Sequence, residues 1–369
     1  MIIIYHEVNI TDENMEILMW KSIWWCGKIS RMTNHFGQYE SLHNHTALSD
    51  GEQSYQEVLS AAEEHGYSFI AFTDHDAVPS NEIVQQLNGH AGPIEWEIGI
   101  EVTSGLPSEL GGGAAPLFHI LGLRLDISNH KLQEYCREAA TARLERLHRT
   151  VDNLKRVGFT INVRDCLELA GQRTVGSPHI SRALLCDPSN ILLLERIADD
   201  MRVKSQQDDN LAARYKAMID KVNSKQRHPY IRDLLFADDA YLPDVYVPYL
   251  FCLDMDRTVR MIRAAGGVAV LAHWPTVSHL ITPEHLKDIA EQGRIDGVEL
   301  RTVYNADSDQ IAKNISFLQK LADDYELIAT VGIDGHSKED FGAFSSIPGA
   351  LDMTVGQRAR YLGDSSGAI

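Results

Sequence analysis

The sequence predicts an α/β protein built around a closed or nearly closed (β/α)7 barrel, with a mainly helical subdomain inserted into it. Two observations predict this fold. Short apolar runs of strand length alternate with helical periodicity over residues 39–126 and again over residues 254–345. Between them, residues 127–253 lack the alternation of strands and helices, and their pattern predicts helical segments with polar patches. We therefore assign the two outer parts to the barrel and the middle part to the insertion.

The first half of the barrel is predicted to contain four strands. A strand over residues 39–46 precedes a helix over residues 52–65, which Gly66 ends. The apolar run at residues 68–73 has the length of a buried strand, and a helix over residues 80–88 follows it. Further strands are predicted at residues 95–102 and 117–122.

The middle part is predicted to begin with a long amphipathic helix, from an N-cap at Ser128 to Gly158. The second half of the barrel then opens with a helix over residues 256–265 and a strand over 268–273. Thr282 and Pro283 predict the start of the next helix, because proline suits the first helical position. A strand at residues 297–302, a helix at 307–325 and a strand at 326–331 complete the pattern.

Two flanking segments carry no site motif. Residues 1–38 are assigned to an N-terminal extension, which is apolar and rich in tryptophan between Met15 and Trp25. Residues 346–369 are assigned to a C-terminal tail. The chain from Phe341 onward is rich in glycine and serine, and we expect it to be ordered only in part.

Composition limits the possible partners and the compartment. The 369 residues include 34 basic and 52 acidic side chains, which give a formal net charge of −18. This charge disfavours long duplex nucleic acid, although it allows a small phosphate held at bound cations. The five scattered cysteines predict reduced thiols, and no apolar run is long enough for a membrane span. We expect a cytoplasmic protein with no membrane partner.

Histidines and carboxylates at strand ends predict a metal centre. His43 and His45 are two residues apart on a predicted strand and therefore share a face, and Asp50 follows in a turn. A lone histidine at a strand end is more often structural than a ligand. Many such residues on one barrel rim could hold three cations, with Mn, Fe or Zn favoured. The predicted ligands are His43, His45, Asp50, His75, Glu101, His119, His273, Asp334 and His336.

Six motifs resemble, in order, those of the PHP (polymerase and histidinol phosphatase) family of metal-dependent phosphoesterases. They are HNHTALSDG, TDHD, GIEVTS, FHILGL, LAHW and GIDGHS, within residues 40–125 and 255–340. The resemblance implies a distorted seven-stranded TIM-like barrel, a cluster of usually three metals and hydrolysis of phosphate esters. The helical insertion resembles that of the branch that acts on nucleotides.

The resemblance also implies how the ligands are shared among the metals. His43 and His45 would hold one metal together with Glu101 and Asp334. Glu101 would bridge to a second metal held by His119 and His273, while Asp50, His75 and His336 would hold the third.

The substrate is expected to be held by residues of the insertion and of the rim. Residues 173–182 resemble a segment of the nucleotide branch with a Pro-His-Ile core, which includes His179. Arg173 and Arg182 are candidates for a phosphate or nucleotide oxygen, with solvated helix-face charges as the alternative. Trp274 stands where the family usually has proline, and we expect it on the pocket rim.

The expected activity is hydrolysis of a small phosphomonoester, with nucleoside monophosphates and 3′,5′-bisphosphates favoured. The nucleophile would be a hydroxide on a bound metal, with Glu101 and Asp50 in the catalytic centre. His273, or a carboxylate near the third metal, would protonate the leaving group. One alternative is a phosphodiesterase or 5′-3′ exonuclease on short oligonucleotides. Another is a non-catalytic PHP assembly module, which the complete ligand set disfavours.

Overall fold

The computed structural model describes most of the chain from Tyr39 to the last helical turn. Its residues are 39–112, 117–171, 175–213, 231, 234–236, 240–301, 308–347, 349, 351–354 and 357. The predicted N-terminal extension and Arg173 lie outside these residues, as does most of the predicted C-terminal tail. Among the described residues, no helix combines the length and the apolar character that crossing a membrane requires.

Two sheets form the centre of the fold. The smaller sheet has the strand order β1-β2-β3, and the larger has the order β6-β4-β5-β7-β8-β9. The strands are β1 (Tyr39–Ser41), β2 (Tyr67–Phe72), β3 (Glu95–Ile98), β4 (Ile100–Gly105), β5 (Leu117–Leu123), β6 (Leu253–Asp254), β7 (Val268–Leu271), β8 (Gly297–Arg301) and β9 (Ile328–Val331).

The parallel strand arrangement that a (β/α)7 barrel implies does not hold at β5. This strand pairs antiparallel with both of its neighbours, β4 and β7. Only residues 106–116 separate β4 from β5, which is too short a connection for the crossover that a parallel pair would require. As a consequence, His119 lies near the amino-terminal end of β5 rather than at a carboxyl end.

The predicted strand over residues 95–102 is divided between the two sheets at Gly99. A Cβ at this position would lie 2.7 Å from the carbonyl oxygen of Gly122, so only glycine fits where the chain passes from β3 to β4. The predicted strand over residues 39–46 is also shorter than expected, since β1 ends at Ser41. The residues beyond it run as irregular chain with one isolated bridge, from Asn44 to Gly335.

Backbone hydrogen bonds connect the two sheets on both sides. On one side, the amide of Leu42 donates to Val331 and the amide of Asp334 donates to His43. On the other side, the amide of Glu101 donates to Asp74, and a second isolated bridge joins His75 to Glu101. The ends of β1, β2, β4 and β9 are thereby brought around one central site.

Helices cover the sheets and bury their apolar faces. Most described side chains of the core belong to one large cluster between the strands and these helices. Predicted caps are confirmed at Thr282, whose hydroxyl accepts from the amide of His285, and in the glycine turn at Gly66, which has φ 82°. The α-helices are α1 (Tyr55–Glu64), α2 (Asn81–Asn88), α3 (His130–Arg156), α4 (Val163–Ala170), α5 (Ser177–Leu185), α6 (Pro188–Ser205), α7 (Met255–Ala264), α8 (Pro283–Glu291), α9 (Ser308–Tyr325) and α10 (Lys338–Ser345).

The long helix α3 begins one residue later than the sequence predicts. Its N-cap is Asn129, whose Oδ1 accepts from the amides of Lys131 and Leu132. Ser128 instead donates its hydroxyl hydrogen to Asp126 in the preceding turn. The carboxyl-terminal half of α3 packs with α4, α5 and α6 around a second apolar cluster, separate from the large one.

Residues after Phe341 are more ordered than their composition suggests. Phe341 and Phe344 lie on α10 and are fully buried, with Phe341 packed edge-on against Tyr67. Two buried phenylalanines on one helix face stabilise this helix against the core, which counting glycine and serine does not reveal.

Candidate metal centre

The centre of the site is the Glu101 carboxylate, at the start of β4 and fully buried. Five imidazoles surround its two oxygens. Oε1 lies 2.8 Å from His119 Nδ1 and 2.9 Å from His273 Nε2. Oε2 lies 3.0 Å from His75 Nδ1, 3.2 Å from His45 Nε2 and 3.3 Å from His43 Nε2.

Two further carboxylates complete the cluster. Asp334 Oδ1 lies 3.1 Å from His45 Nε2 and 3.4 Å from His43 Nε2. Asp50 lies 3.4 Å from His336 Nε2 and 3.7 Å from ring nitrogens of His45 and His75. All nine residues predicted as ligands are therefore in one cluster, with five histidines of four chain segments around one glutamate.

The side chains of the cluster fit divalent cations. Asp50 Oδ1, His75 Nδ1, His45 Nδ1 and Glu101 Oε2 are buried atoms with no hydrogen-bond partner among the described residues. Buried polar atoms are rarely left without partners, and a cation would satisfy all four. Imidazole and carboxylate donors without thiolate suit Zn, Mn or Fe. Three groups have ligand atoms within 4.8 Å of one another: His45, Asp50, His75 and His336; His43, His45 and Asp334; and His75, Glu101 and His119.

Electrostatics show how the cluster balances its charge without cations. Burial alone would lower the pKa of His45, but hydrogen bonds to Asp334 and Glu101 outweigh it and raise the pKa to about 10. Burial would raise the pKa of Glu101, but His119, His75 and His43 hold it well below its usual value. The carboxylates are thus ionised and need positive charge beside them, which protons or metal cations can supply.

Two of these residues are held in an uncommon backbone conformation. His273 has φ 29° and Asp334 has φ 50°, in the left-handed region that non-glycine residues rarely adopt. Such strain persists only where surrounding contacts fix it, and it concentrates at functional sites. Gly332 lets the chain before Asp334 pass close to His43, since a Cβ at residue 332 would lie 2.2 Å from His43 Cβ.

Glu299 is a buried residue of the site that the sequence analysis did not select. Its Oε1 lies 3.0 Å from His43 Nδ1, and its Oε2 accepts from the amide of His273 at 2.9 Å. One carboxylate therefore orients two of the predicted ligands, as carboxylates behind metal-binding histidines commonly do. The signal was present: a glutamate within the apolar strand β8 is an unusual buried charge.

Asp74 and Asp76 flank His75 and stabilise its surroundings. Asp74 accepts hydrogen bonds from the hydroxyls of Thr46, Ser49 and Tyr55, which fixes the loop that carries Asp50. Asp76 accepts from the backbone amide and hydroxyl of Thr103 and from Tyr135 Oη. Asp76 also pairs with Arg143 of helix α3.

A pocket of about 250 Å³ opens beside the cluster. Its lining includes Asp50, His75 and His119 of the cluster. Arg143 and Arg146 of α3, Tyr249, and the amino-terminal end of α5 at Gly176, Ser177 and Pro178 also line it. The sequence does not single out these arginines, because α3 has the pattern of an ordinary amphipathic helix.

The residues predicted to hold substrate do not line this pocket as a group. Arg182 is partly exposed, with its Nη2 3.7 Å from Glu52 Oε1. His179 is buried, and its Nδ1 accepts from the amide of Gly176, which fixes the turn before α5. Arg173 lies outside the described residues.

The prediction that Trp274 lies on the pocket rim is wrong. Its side chain is 4 % exposed, and its indole N–H donates to the carbonyl oxygen of Ile281 at 2.7 Å. The ring packs against Phe317, with a centroid distance of 5.0 Å. The backbone turns sharply at His273, which directs the next side chain into the core while His273 itself faces Glu101.

Comparisons with known proteins agree with the geometry. Residues 41–154 match the family model of the PHP domain. A phosphoribosyl 1,2-cyclic phosphate 1,2-diphosphodiesterase of Eggerthella lenta is 27% identical over 304 residues, which cover 81% of this chain and 94% of that protein. A 5′-3′ exoribonuclease of Haemophilus influenzae is 23% identical over 298 residues, covering 80% of this chain and 89% of that protein.

Solved structures share the fold. A protein of Bifidobacterium adolescentis described as a metal-dependent phosphoesterase superposes with a TM-score of 0.59 at 21% identity, over 90% of this chain and 99% of the other. An amidohydrolase of Chromobacterium violaceum, with bound sulfate and no metal, gives a TM-score of 0.54 at 18% identity, over 89% and 100% of the two chains. The chain therefore carries a PHP domain at residues 41–154 and is a hydrolase that acts on phosphate ester bonds.

Proposed function

We propose that this protein hydrolyses a phosphodiester bond in a small ribose phosphate or short nucleotide, with two to three divalent metal ions as cofactors. The observation that carries the proposal is the cluster of six histidines and three carboxylates beside a small pocket. Both curated relatives are named for cleavage of phosphodiesters, one cyclic and one in RNA. The phosphomonoester predicted from the sequence therefore becomes the alternative that the test must separate.

Bound cations would lower the pKa of a water nucleophile and neutralise the phosphate oxygens. The protein contributes a fixed frame for them, because Glu299 orients His43 and the backbone of His273, and Asp74 fixes the loop of Asp50. Buried His43, His45 and Glu101 face inward, whereas the Asp50 side chain is 27 % exposed and lines the pocket.

Neither His273 nor Asp50 is a ready proton donor to the leaving oxygen. Both ring nitrogens of His273 have partners, with Nε2 2.9 Å from Glu101 Oε1 and Nδ1 3.3 Å from Thr276 Oγ1. Asp50 lines the pocket, but His75, His336 and His45 hold its pKa well below its usual value, so this carboxylate is ionised and suits a metal ligand or a proton acceptor.

We also infer that the two sheets form one distorted barrel, with residues 127–253 as a helical subdomain at its rim. The hydrogen bonds that connect the sheets on both sides support the barrel. The separate apolar cluster of α4, α5 and α6 supports the subdomain.

The test is hydrolysis by the Mn-loaded protein of four compounds, followed by mass spectrometry of the products. They are phosphoribosyl 1,2-cyclic phosphate, a short 5′-phosphorylated RNA, adenosine 3′,5′-bisphosphate and AMP. We expect turnover of the cyclic diester or of the RNA. Turnover of AMP or the bisphosphate alone would replace the proposal by a phosphomonoesterase, and no turnover of any compound would contradict it.

A further inference from the structure

Asp76 is a buried carboxylate that directly follows the candidate ligand His75 in the chain. Its backbone φ of 51° lies in the left-handed region that residues other than glycine rarely adopt. Such a conformation persists only where surrounding contacts fix it. The contacts of Asp76 therefore show what holds the chain in place immediately after His75.

The backbone and the carboxylate of Asp76 both bond to strand β4. The Asp76 amide donates to the carbonyl oxygen of Glu101 at 2.9 Å. Oδ1 accepts from the amide of Thr103 and Oδ2 from the hydroxyl of Thr103, both at 2.7 Å. The preceding residue is thereby held beside the same strand, where His75 Nδ1 lies 3.0 Å from Glu101 Oε2. The position of this candidate ligand thus depends on Asp76.

The same carboxylate also bonds to helix α3, which leads into the predicted insertion. Tyr135 Oη donates to Oδ1, and Arg143 Nη2 donates to Oδ2. These two donors are about 12 Å apart along the helix axis, so together they fix both the position and the rotation of α3. Each oxygen of Asp76 therefore joins one donor from β4 to one donor from α3.

Asp74, on the other side of His75, differs in this respect. It is also buried, but its hydroxyl donors all lie within residues 46–55, with Tyr55 Oη at 2.8 Å among them. Among the contacts of the described residues, only the second of these two carboxylates reaches α3. The comparison singles out Asp76 as the connection between the candidate ligands and this helix.

The packing of α3 places these bonds at the junction of two cores. The amino-terminal half of the helix belongs to the large apolar cluster, and the carboxyl-terminal half belongs to the second one. Tyr135 packs against Phe251 with a centroid distance of 5.6 Å, and the guanidinium carbon of Arg143 lies 4.6 Å from the centre of the Tyr249 ring. Asp76 therefore bonds to α3 where the helix passes from one cluster to the other.

We propose that Asp76 is a positioning residue that couples helix α3 to the candidate metal centre. One carboxylate holds both the turn after His75 and the helix, so a change at either one reaches the other. The inference rests on the proposed function, since it takes His75 to bind a metal ion. Such coupling is reciprocal: if the bonds to α3 strengthen metal binding, bound metal stabilises the bonds to α3 by the same factor.

The first measurement follows amide hydrogen exchange by mass spectrometry, with the full chain dialysed against a chelator and then supplied with Mn. We expect Mn to slow exchange of the α3 amides in the wild-type protein by about fivefold or more. Tyr135→Phe removes one hydroxyl and should abolish most of this slowing. Tyr55→Phe is the matched control, because it removes the equivalent bond to Asp74, and α3 should still respond to Mn.

The second measurement is Mn affinity, from competition with a fluorescent chelator. We expect Tyr135→Phe to lower the affinity by about fivefold and Asp76→Asn by about 10–100-fold. Arg149→Gln, on an exposed position of the same helix, should stay within about twofold. Asp76→Asn leaves buried Arg143 without its charged partner and can fail to fold. Tyr135→Phe leaves that pair intact and then decides the question.

Three results would overturn the proposal. In the first, the chain binds Mn but exchange in α3 does not respond. In the second, Tyr135→Phe and Tyr55→Phe lose the response equally, and in the third, Tyr135→Phe binds Mn with wild-type affinity. A chain that binds no Mn would overturn both this proposal and the proposed function. If α3 responds to Mn through Tyr135 while none of the four compounds is hydrolysed, the proposed function fails and the coupling stands.

Discussion

The pocket is lined by two groups of residues that differ in how they are built. The candidate metal centre collects residues from many short segments, and every predicted ligand is within 3.8 Å of another one. The pocket arginines, Arg143 and Arg146, come from a single helix, α3, and line the pocket together with Tyr249. Under the proposed function the first group would carry the chemistry, and the second could vary with the substrate.

This difference has an energetic basis. The metal ligands hold one another through a network of buried charges, so removing any one leaves others uncompensated. The two pocket arginines form one buried pair, Arg143 with Asp76, while Arg146 contacts a backbone carbonyl and the ring of Tyr246. Substitutions in the metal centre should therefore affect every substrate, whereas substitutions of these arginines should affect particular substrates.

The largest effect is expected at Glu101. Glu101→Gln removes the charge that faces five imidazoles, and we expect turnover of any substrate to fall by roughly a hundred-fold or more. Steady-state kinetics with an accompanying metal analysis check this. Wild-type turnover with full metal content would show that Glu101 does not belong to the catalytic centre.

A smaller effect is expected at Glu299, which contacts the predicted ligand His43 from behind. Glu299→Gln keeps the shape of the side chain but weakens the orientation of His43, so metal affinity should fall by about 10–100-fold. Competition with a fluorescent chelator measures the affinity directly. If affinity is unchanged while turnover falls, Glu299 acts through something other than metal binding.

A substitution at Trp274 is expected to lower stability without changing substrate recognition. Trp274→Phe leaves the carbonyl of Ile281 without its donor, which should lower the free energy of unfolding by about 1–3 kcal/mol. Denaturant unfolding checks the loss, and kcat/KM at a temperature where the variant is folded should stay near the wild-type value. A substrate-dependent change in KM without loss of stability would restore Trp274 to the rim.

The smallest effect is expected at Arg182. Its contact with Glu52 joins two partly exposed side chains at 3.7 Å, and such pairs contribute about 0–1 kcal/mol. Arg182→Ala should therefore change kcat/KM by less than about threefold. A tenfold loss on the best substrate, with stability unchanged, would show that Arg182 contributes to substrate binding.

The clustering of the nine candidate ligands was predictable because its signal is local. His43-x-His45 and Asp334-x-His336 each place two donors close together in the chain, and buried strands lead into most of the others. The direction of β5 was not predictable from its apolar pattern, because a buried antiparallel strand and a parallel strand read alike. His119 still lies at the site. Because β5 runs in the reverse direction, its amino-terminal end, where His119 lies, is the end next to the other ligands.

The position of Arg143 and Arg146 beside the candidate metal centre could not be predicted, because it depends on tertiary packing. Arg143 and Arg146 are polar positions of a long helix, and nothing in their spacing distinguishes them from exposed Arg149. Only the packing of α3 against Asp76 and Tyr249 buries them beside the metal ligands. The prediction for Trp274 was wrong for a related reason. The positive φ of His273 decides the direction of the following side chain, and the sequence does not show it.

The most direct test of the central claim is the metal content of the full chain, purified without chelator and then incubated with Mn. Elemental analysis should give two to three equivalents of transition metal per chain for the wild-type protein. The Glu101→Gln variant, prepared in parallel, should retain fewer. Less than one equivalent in the wild-type protein would contradict the assignment of these nine residues as a metal centre.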